Sequence, residues 1–161
     1  PSNANKSVYL AKIEIRKRQY VYQSIPNIDF VGNFHNSSFD ITNSNYLGEW
    51  NKDVLYKNLS SYGNLVLLSD GEADPLVVKE ALICGLGVVV SECSAANIDT
   101  NLNFIDVIPN NKLYDIGYVT NVINQNREVS QKERDAIRKY GLETFSWKNI
   151  THRYKDLLES L

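Results

Sequence analysis

Short apolar runs alternate along the chain with longer stretches in which apolar residues recur at helical spacing. Several of the runs are brief and rich in β-branched residues, which favours strands. The predicted strands are Ser7–Ala11, Ile28–Val31, Leu65–Leu68, Val88–Ser91 and Phe104–Ile108, with a short sixth strand at Asn45–Leu47. Two of them, Leu65–Leu68 and Val88–Ser91, are almost continuously hydrophobic. We therefore expect these two in the middle of the sheet, with both faces covered.

The stretches of helical spacing predict six helices. They are Arg16–Ser24, Asp53–Ser61, Leu76–Cys84, Lys112–Asn124, Gln131–Leu142 and Trp147–Leu161, the last preceded by Ser146 as a plausible N-cap. Alternation of strands with helices is typical of repeated βα units. The predicted fold class is α/β, a Rossmann-like open parallel sheet of about six strands with helices on both faces.

Composition limits the chain to one ordinary domain. It has 161 residues, of which 43% are hydrophobic and 22% charged, so a packed core is feasible. We assign residues 1–4 to the remnant of an expression tag and residues 5–161 to the domain. The 17 basic and 19 acidic residues give a net charge of −2, which argues against a nucleic-acid partner.

Neither cysteine predicts a metal or disulfide site. Cys84 and Cys93 are nine positions apart, with no histidine at ligand spacing, which favours a reduced, cytoplasmic setting. No apolar run approaches the roughly 18 to 20 residues of a membrane span. His35 and His152 have no partner at a recognisable catalytic spacing, so we assign both to the surface.

The stretch LLSDGEADPLVVKEALICGLGVVVSE, residues 67–92, gives a strand, a polar loop, a helix, a glycine turn and a strand without a gap. Ligands of open parallel sheets bind at the carboxyl ends of the strands, where this loop lies. Asp74 is the expected N-cap, with Pro75 at the first helical position. The N–H groups of Leu76 and Val77 would then face the crevice and favour an anion.

Glu72 and Glu80 are eight positions apart and can face one pocket. A carboxylate accepts two hydroxyl donors at once, which is the chemistry needed to hold a ribose diol or a sugar ring. Taken alone, Glu80 could equally be a solvated helix residue beside Lys79.

These residues resemble the donor-binding, C-terminal half of retaining GT-B glycosyltransferases of the family-4 type. That family carries the motif E-G-F-G-x-x-x-x-E-A-x-A-C-G-x-P-V-V-x-S. The matching positions here, in register, are Glu72, Glu80, Ala81, Cys84, Gly85, Val88, Val89 and Ser91. Shorter matches flank it: the basic pair Lys12 and Lys17, Val31-Gly32, Tyr46-Leu47-Gly48, and Phe145-Ser146-Trp147 after Glu143.

The resemblance implies a role for each matching residue. Lys12 and Lys17 would neutralise the diphosphate of a UDP- or GDP-sugar and stabilise the charge that builds on it, with Glu72 beside the donor sugar. We name these three as candidate catalytic residues. Glu80 would bind the ribose hydroxyls. The other candidate donor-binding residues are Ala73, Asp74, Leu76, Val77, Gly32 and Gly48.

The resemblance further implies retaining hexose transfer without a metal or other cofactor. An acceptor glycan or lipid would bind an N-terminal domain that this chain lacks, and a full-length protein could associate peripherally with a membrane. We therefore expect the isolated domain to bind nucleotide weakly and to transfer little sugar.

Two departures from the family pattern keep an alternative open. Ala73 and Pro75 replace motif glycines, and Pro75 has no N–H to offer a ligand. Asp74 could bind sugar hydroxyls instead of capping the helix. The altered loop leaves room for a non-catalytic binding or scaffold module. A dinucleotide-dependent enzyme is disfavoured, because no Gly-x-Gly-x-x-Gly follows the first strand.

Overall fold

A computed structural model describes residues 2–160, except the side chain of Arg153, and shows a parallel sheet of five strands. They are β1 (Asn3–Leu10), β2 (Ile28–Val31), β3 (Tyr62–Leu67), β4 (Gly87–Ser91) and β5 (Ile105–Ile108), in the order β2-β1-β3-β4-β5. The predicted α/β class is confirmed, and β3 is the central strand. Every residue of β3 and β4 is buried, as their hydrophobic runs predict.

The predicted sixth strand at Asn45–Leu47 is wrong. Tyr46 makes one isolated parallel bridge to Phe30 and then the chain leaves the sheet. The N–H of Tyr46 donates to the carbonyl of Asn43, which makes the approach a tight turn, and Gly48 follows at a φ of 75°. Turn geometry on both sides of Tyr46 leaves no room for a ladder.

The described residues form six α-helices. They are α1 (Gln19–Tyr22), α2 (Lys52–Asn58), α3 (Leu76–Ile83), α4 (Ile116–Lys132), α5 (Arg134–Phe145) and α6 (Trp147–Glu159). The helix predicted at Arg16–Ser24 is interrupted, because Arg18 adopts a left-handed φ of 54° between a 3-10 turn at Ile15–Lys17 and α1. The helix predicted from Lys112 begins later, where Asp115 caps α4 by accepting from the N–H of Tyr118.

The first strand begins within the segment that we assign to a tag remnant. β1 includes Asn3 and Ala4 of that segment. Pro1, from the same predicted remnant, and Leu161, the predicted end of the last helix, lie outside the described residues. Across residues 2–160, the structure contains no helix long and apolar enough to cross a membrane.

Packing on the sheet brings the motif segments to one edge. α4 lies against β1, β3, β4 and β5, while α3 packs on β3, β4 and α5. The α3–α5 contact is close, since a Cβ on Gly141 of α5 would lie 2.4 Å from the backbone of Leu82. Because β1, β2 and β3 are parallel neighbours, the segments that follow them meet at the carboxyl edge of the sheet.

Candidate functional site

Two adjoining open cavities lie at the carboxyl ends of β1, β2 and β3, and we call them together the cleft. The first has a volume of about 490 Å³ and the second of about 340 Å³. Both are lined by Leu10, Ala11, Lys12 and Val77, so Lys12 stands at the junction. Its side chain is about half exposed and its Nζ lies 3.9 Å from a carboxylate oxygen of Glu14.

The first cavity holds Glu80 and the end of β2. Gly32 approaches β1 so closely that a Cβ there would lie 1.9 Å from the carbonyl oxygen of Ala11. Its N–H donates to the carbonyl of Gly48, which holds the segment leading to Trp50 against the cavity. Glycine at position 32 is therefore required for the cavity wall.

Glu80 is partly buried on the side of α3 that faces the first cavity. Burial raises the pKa of its carboxyl above the ordinary value, and the positive charge of Lys52 opposes that rise. Glu80 is thus a partly desolvated acceptor facing a cavity, and not a fully solvated helix residue.

The second cavity holds an ion pair between Lys17 and Glu72. The Lys17 ammonium donates to the Glu72 carboxylate, and the two side chains are only 10% and 16% exposed. Burial lowers the pKa of Lys17, and the neighbouring Arg16 charge lowers it further. The fold thus pairs a cation from the segment after β1, Lys17, with a carboxylate from the segment after β3, Glu72.

Several bonds tie these two segments to each other. The Tyr9 hydroxyl donates to the carbonyl of Lys17 at 2.5 Å and accepts from the N–H of Leu68 at 2.8 Å. Arg18 donates to the carbonyl of Leu68 and pairs with Asp70 at 2.7 Å. The N–H of Asp70 donates in turn to the carbonyl of Arg16.

Sequence reasoning missed this tie. Tyr9, which no sequence pattern singles out, is fully buried with both hydroxyl functions bonded. The side chain of Arg18, a residue at the start of a predicted helix, is only 10% exposed. No motif marks either residue, because both bond main-chain atoms, which any sequence supplies, and the carboxylate that pairs with Arg18, that of Asp70, lies about fifty positions away.

The expected cap of α3 is wrong. Pro75 occupies the N-cap, in extended conformation and without a side-chain bond, so the helix starts at Leu76. The carboxylate of Asp74 accepts from the Lys79 ammonium at 2.5 Å instead, and this bond lowers its pKa. Asp74 lines a neighbouring apolar groove beside Trp147, which shares Glu80 with the first cavity and Leu76 with the second.

The cleft gathers most, though not all, of the candidate residues. Leu76 and Val77 line it, and Glu72 and Glu80 lie in different cavities of the same cleft. Ala73 and Gly48 are not among the described residues that line the cleft. His35 and Trp50, for which sequence reasoning gave no role in the site, line the first cavity.

The cleft has the chemistry to hold an anion at its centre and hydroxyl groups at its ends. Lys12 offers an exposed ammonium at the junction, and the opening N–H groups of α3 at Leu76 and Val77 have no acceptor within their own helix. Glu80 and Glu72 are acceptors on either side. Residues 2–160 contain no cluster of three or more His, Cys, Asp or Glu that could hold a metal ion.

Comparison with solved structures shows the same architecture in glycosyltransferases. The chain superposes on HepE of Anabaena in complex with UDP-glucose with a TM-score of 0.71 at 15% identity. It superposes on TarM with a TM-score of 0.65 at 19% identity, and on the sucrose-phosphate synthase of Thermosynechococcus elongatus with 0.66 at 16%. Its fold is thus Rossmann-like and similar to that of the matched domains in these GT-B glycosyltransferases.

The matches cover almost all of this chain and part of each neighbour. They span 99%, 96% and 98% of this chain, against 50% of HepE, 35% of TarM and 47% of the synthase. The chain therefore spans a third to a half of the length of these proteins. No family model matches it, and no curated protein does so by sequence.

Proposed function

We propose that this chain is the nucleotide-sugar-binding domain of a retaining glycosyltransferase that transfers a hexose from a UDP- or GDP-sugar. The observation that carries the proposal is the cleft, in which Lys12 lies where the two cavities meet, Glu80 lines the first cavity, and the Lys17–Glu72 pair lines the second. A nucleotide-sugar has the complementary pattern, with ribose hydroxyls, a diphosphate and sugar hydroxyls in that order.

Each end of the donor has a partner in this proposal. Glu80 accepts from the ribose diol in the first cavity, and Lys12 with the start of α3 meets the diphosphate at the junction. Lys17 and Glu72 take the sugar end, where the ammonium stabilises charge developing on the leaving diphosphate. These cations supply the counter-charge, so the proposal needs no metal. The acceptor, a glycan or a lipid, would bind elsewhere in a longer protein.

The structural neighbours support the donor class. Crystals of HepE were solved with UDP-glucose, with UDP and glucose, and with UDP. Each of these structures superposes on 99% of this chain.

Calorimetric titration with UDP and GDP tests the proposal. Because a hydrogen bond to a charged group contributes roughly 1.5 to 3 kcal/mol, Lys12→Ala and Glu80→Ala should each weaken nucleotide binding by about 10- to 100-fold. Lys139→Ala and Glu143→Ala are matched controls, since that ion pair is exposed on α5. Equal affinities in all four variants would contradict the proposed site.

A non-catalytic binding module is the second candidate, and two observations favour it. The Lys17 ammonium is already paired with Glu72, and Pro75 brings no N–H to the start of α3. A folded protein that binds neither UDP nor GDP at millimolar concentration would favour this reading. Sugar transfer by a longer protein that is lost in Lys17→Ala would reject it.

A further inference from the structure

The junction of β1 with the cleft contains a buried hydroxyl that the function proposed above does not use. Tyr9 lies on β1, is 0% exposed, and sends its hydroxyl toward the two segments that carry Lys17 and Glu72. Both functions of the hydroxyl are bonded to main-chain atoms, one in each segment.

Two of the bonds in this region lie where the chain leaves the sheet at the end of β3. Leu68 is the first residue after β3, so its N–H and carbonyl have left the ladder. The Tyr9 hydroxyl accepts from that N–H at 2.8 Å, and the Arg18 guanidinium donates to that carbonyl at 3.1 Å. Buried main-chain groups need such partners, so these two side chains hold the chain at Leu68, where it begins its path toward Glu72.

The other half of the bridge fixes Lys17. Its carbonyl accepts from the Tyr9 hydroxyl at 2.5 Å, directly before the left-handed turn at Arg18. Burial raises the pKa of Tyr9 well above the ordinary value, so the phenol keeps its proton and remains a donor throughout the working pH range.

We propose that Tyr9 is a positioning residue, whose hydroxyl holds the main chain of Lys17 and the segment bearing Glu72 in the register that forms the end of the cleft. This inference rests on the proposed function for its effect on nucleotide binding. Its effect on Lys17 itself does not depend on any ligand.

Tyr22 provides a matched control for the deletion of one hydroxyl. It is also fully buried, stacks on Tyr9 with ring centroids 6.3 Å apart, and donates its hydroxyl to a main-chain carbonyl, that of Leu113, at 2.8 Å. Leu113 lies before α4, away from the cleft lining. Tyr9→Phe and Tyr22→Phe should therefore both lower the melting temperature, but only the first should disturb the cleft.

The first readout is the pKa of Lys17, followed by carbon-13 NMR of its ε-carbon and assigned by its loss in Lys17→Arg. In Tyr9→Phe the freed segment should expose the ammonium, so its pKa rises toward the ordinary lysine value of about 10.4. In Tyr22→Phe it should stay at the wild-type value. The same Lys17 pKa in both variants would overturn the proposal.

The second readout is the dissociation constant for UDP. Losing the two hydrogen bonds that position the site should weaken binding by about five- to tenfold in Tyr9→Phe. The loss of the Tyr22 hydroxyl, whose bond lies outside the cleft, should weaken it by less than about twofold. If the wild-type protein does not bind UDP, the proposed function fails, whereas the Lys17 titration still decides the role of Tyr9.

A further variant covers the case in which Tyr9→Phe does not fold. Arg18→Lys keeps the positive charge but loses the planar fork that reaches both Leu68 and Asp70. It loosens the same segment from the other side, and the Lys17 pKa should again rise. An unchanged pKa in this variant would count against the proposed tie.

Discussion

Glu80 is the residue whose protonation at low pH should weaken ligand binding in the cleft. Burial raises the pKa of its carboxyl, and a protonated carboxyl accepts fewer hydroxyl donors. Affinity for UDP-glucose should therefore fall as the pH is lowered, with a midpoint above the ordinary glutamate value of about 4.3. UDP-glucose is the correct probe, because the terminal phosphate of UDP itself ionises near pH 6, as phosphate monoesters do.

The measurement is the dissociation constant between pH 4 and 8 in wild type and in Glu80→Gln. The amide cannot ionise, so its profile should be flat over the range in which the wild-type affinity falls. Parallel profiles in the two proteins would show that another group causes the loss.

Gly32 is the residue on which the first cavity depends for its shape. A methyl group at this position would overlap the carbonyl of Ala11, which is backbone and cannot turn away. Gly32 also has a φ of 155°, which side chains rarely adopt. Overlap and this backbone strain together should make Gly32→Ala less stable by roughly 2 to 4 kcal/mol. Gly71→Ala is the control, since nothing lies within 4 Å of a Cβ there. Urea unfolding of both variants measures the difference, and equal stabilities would contradict the close approach.

At the scale of elements, substitutions at the start of α3 show whether Asp74 caps the helix or forms an ion pair with Lys79. Asp74 bonds Lys79 at the surface, so a double-mutant cycle of Asp74→Ala and Lys79→Ala should give a coupling of about 0.2 to 1 kcal/mol. Asn51→Ala removes a true cap, which accepts from the N–H of Val54, and should cost about 1 kcal/mol. A similar cost for Asp74→Ala, without coupling to Lys79, would restore the capping role.

Strands proved more predictable than the helices between them, for a physical reason. β3 and β4 are buried on both faces, so burial alone imposes the apolar runs from which they were predicted. The interruption at Arg18 has no such signature. A left-handed arginine is held there by its contacts with Leu68 and Asp70, about fifty positions away, which local periodicity does not contain.

At the scale of the whole molecule, the motif residues were predictable and their assembly was not. Glu72 and Glu80 could be placed near one site because the glutamate spacing is local and the loop follows a strand. Their separation into two cavities joined at Lys12 depends on how β1 and β3 end side by side. Likewise the tie through Tyr9 joins residues 59 positions apart through main-chain atoms, for which the sequence carries no pattern.

The whole fold should respond to its ligand, because a molecule that binds only the folded state stabilises it. At a concentration 100-fold above the dissociation constant the gain is about 2.7 kcal/mol, which corresponds to a rise in melting temperature of roughly 5 to 10 °C for a domain of this size. A thermal-shift series with UDP- and GDP-sugars should show this rise for one base. The rise should be smaller in Lys12→Ala and in Glu80→Ala at the same ligand concentration, and unchanged in Lys139→Ala, whose side chain is 74% exposed on α5. A shift of equal size in all four proteins would mean that the nucleotide binds outside the cleft.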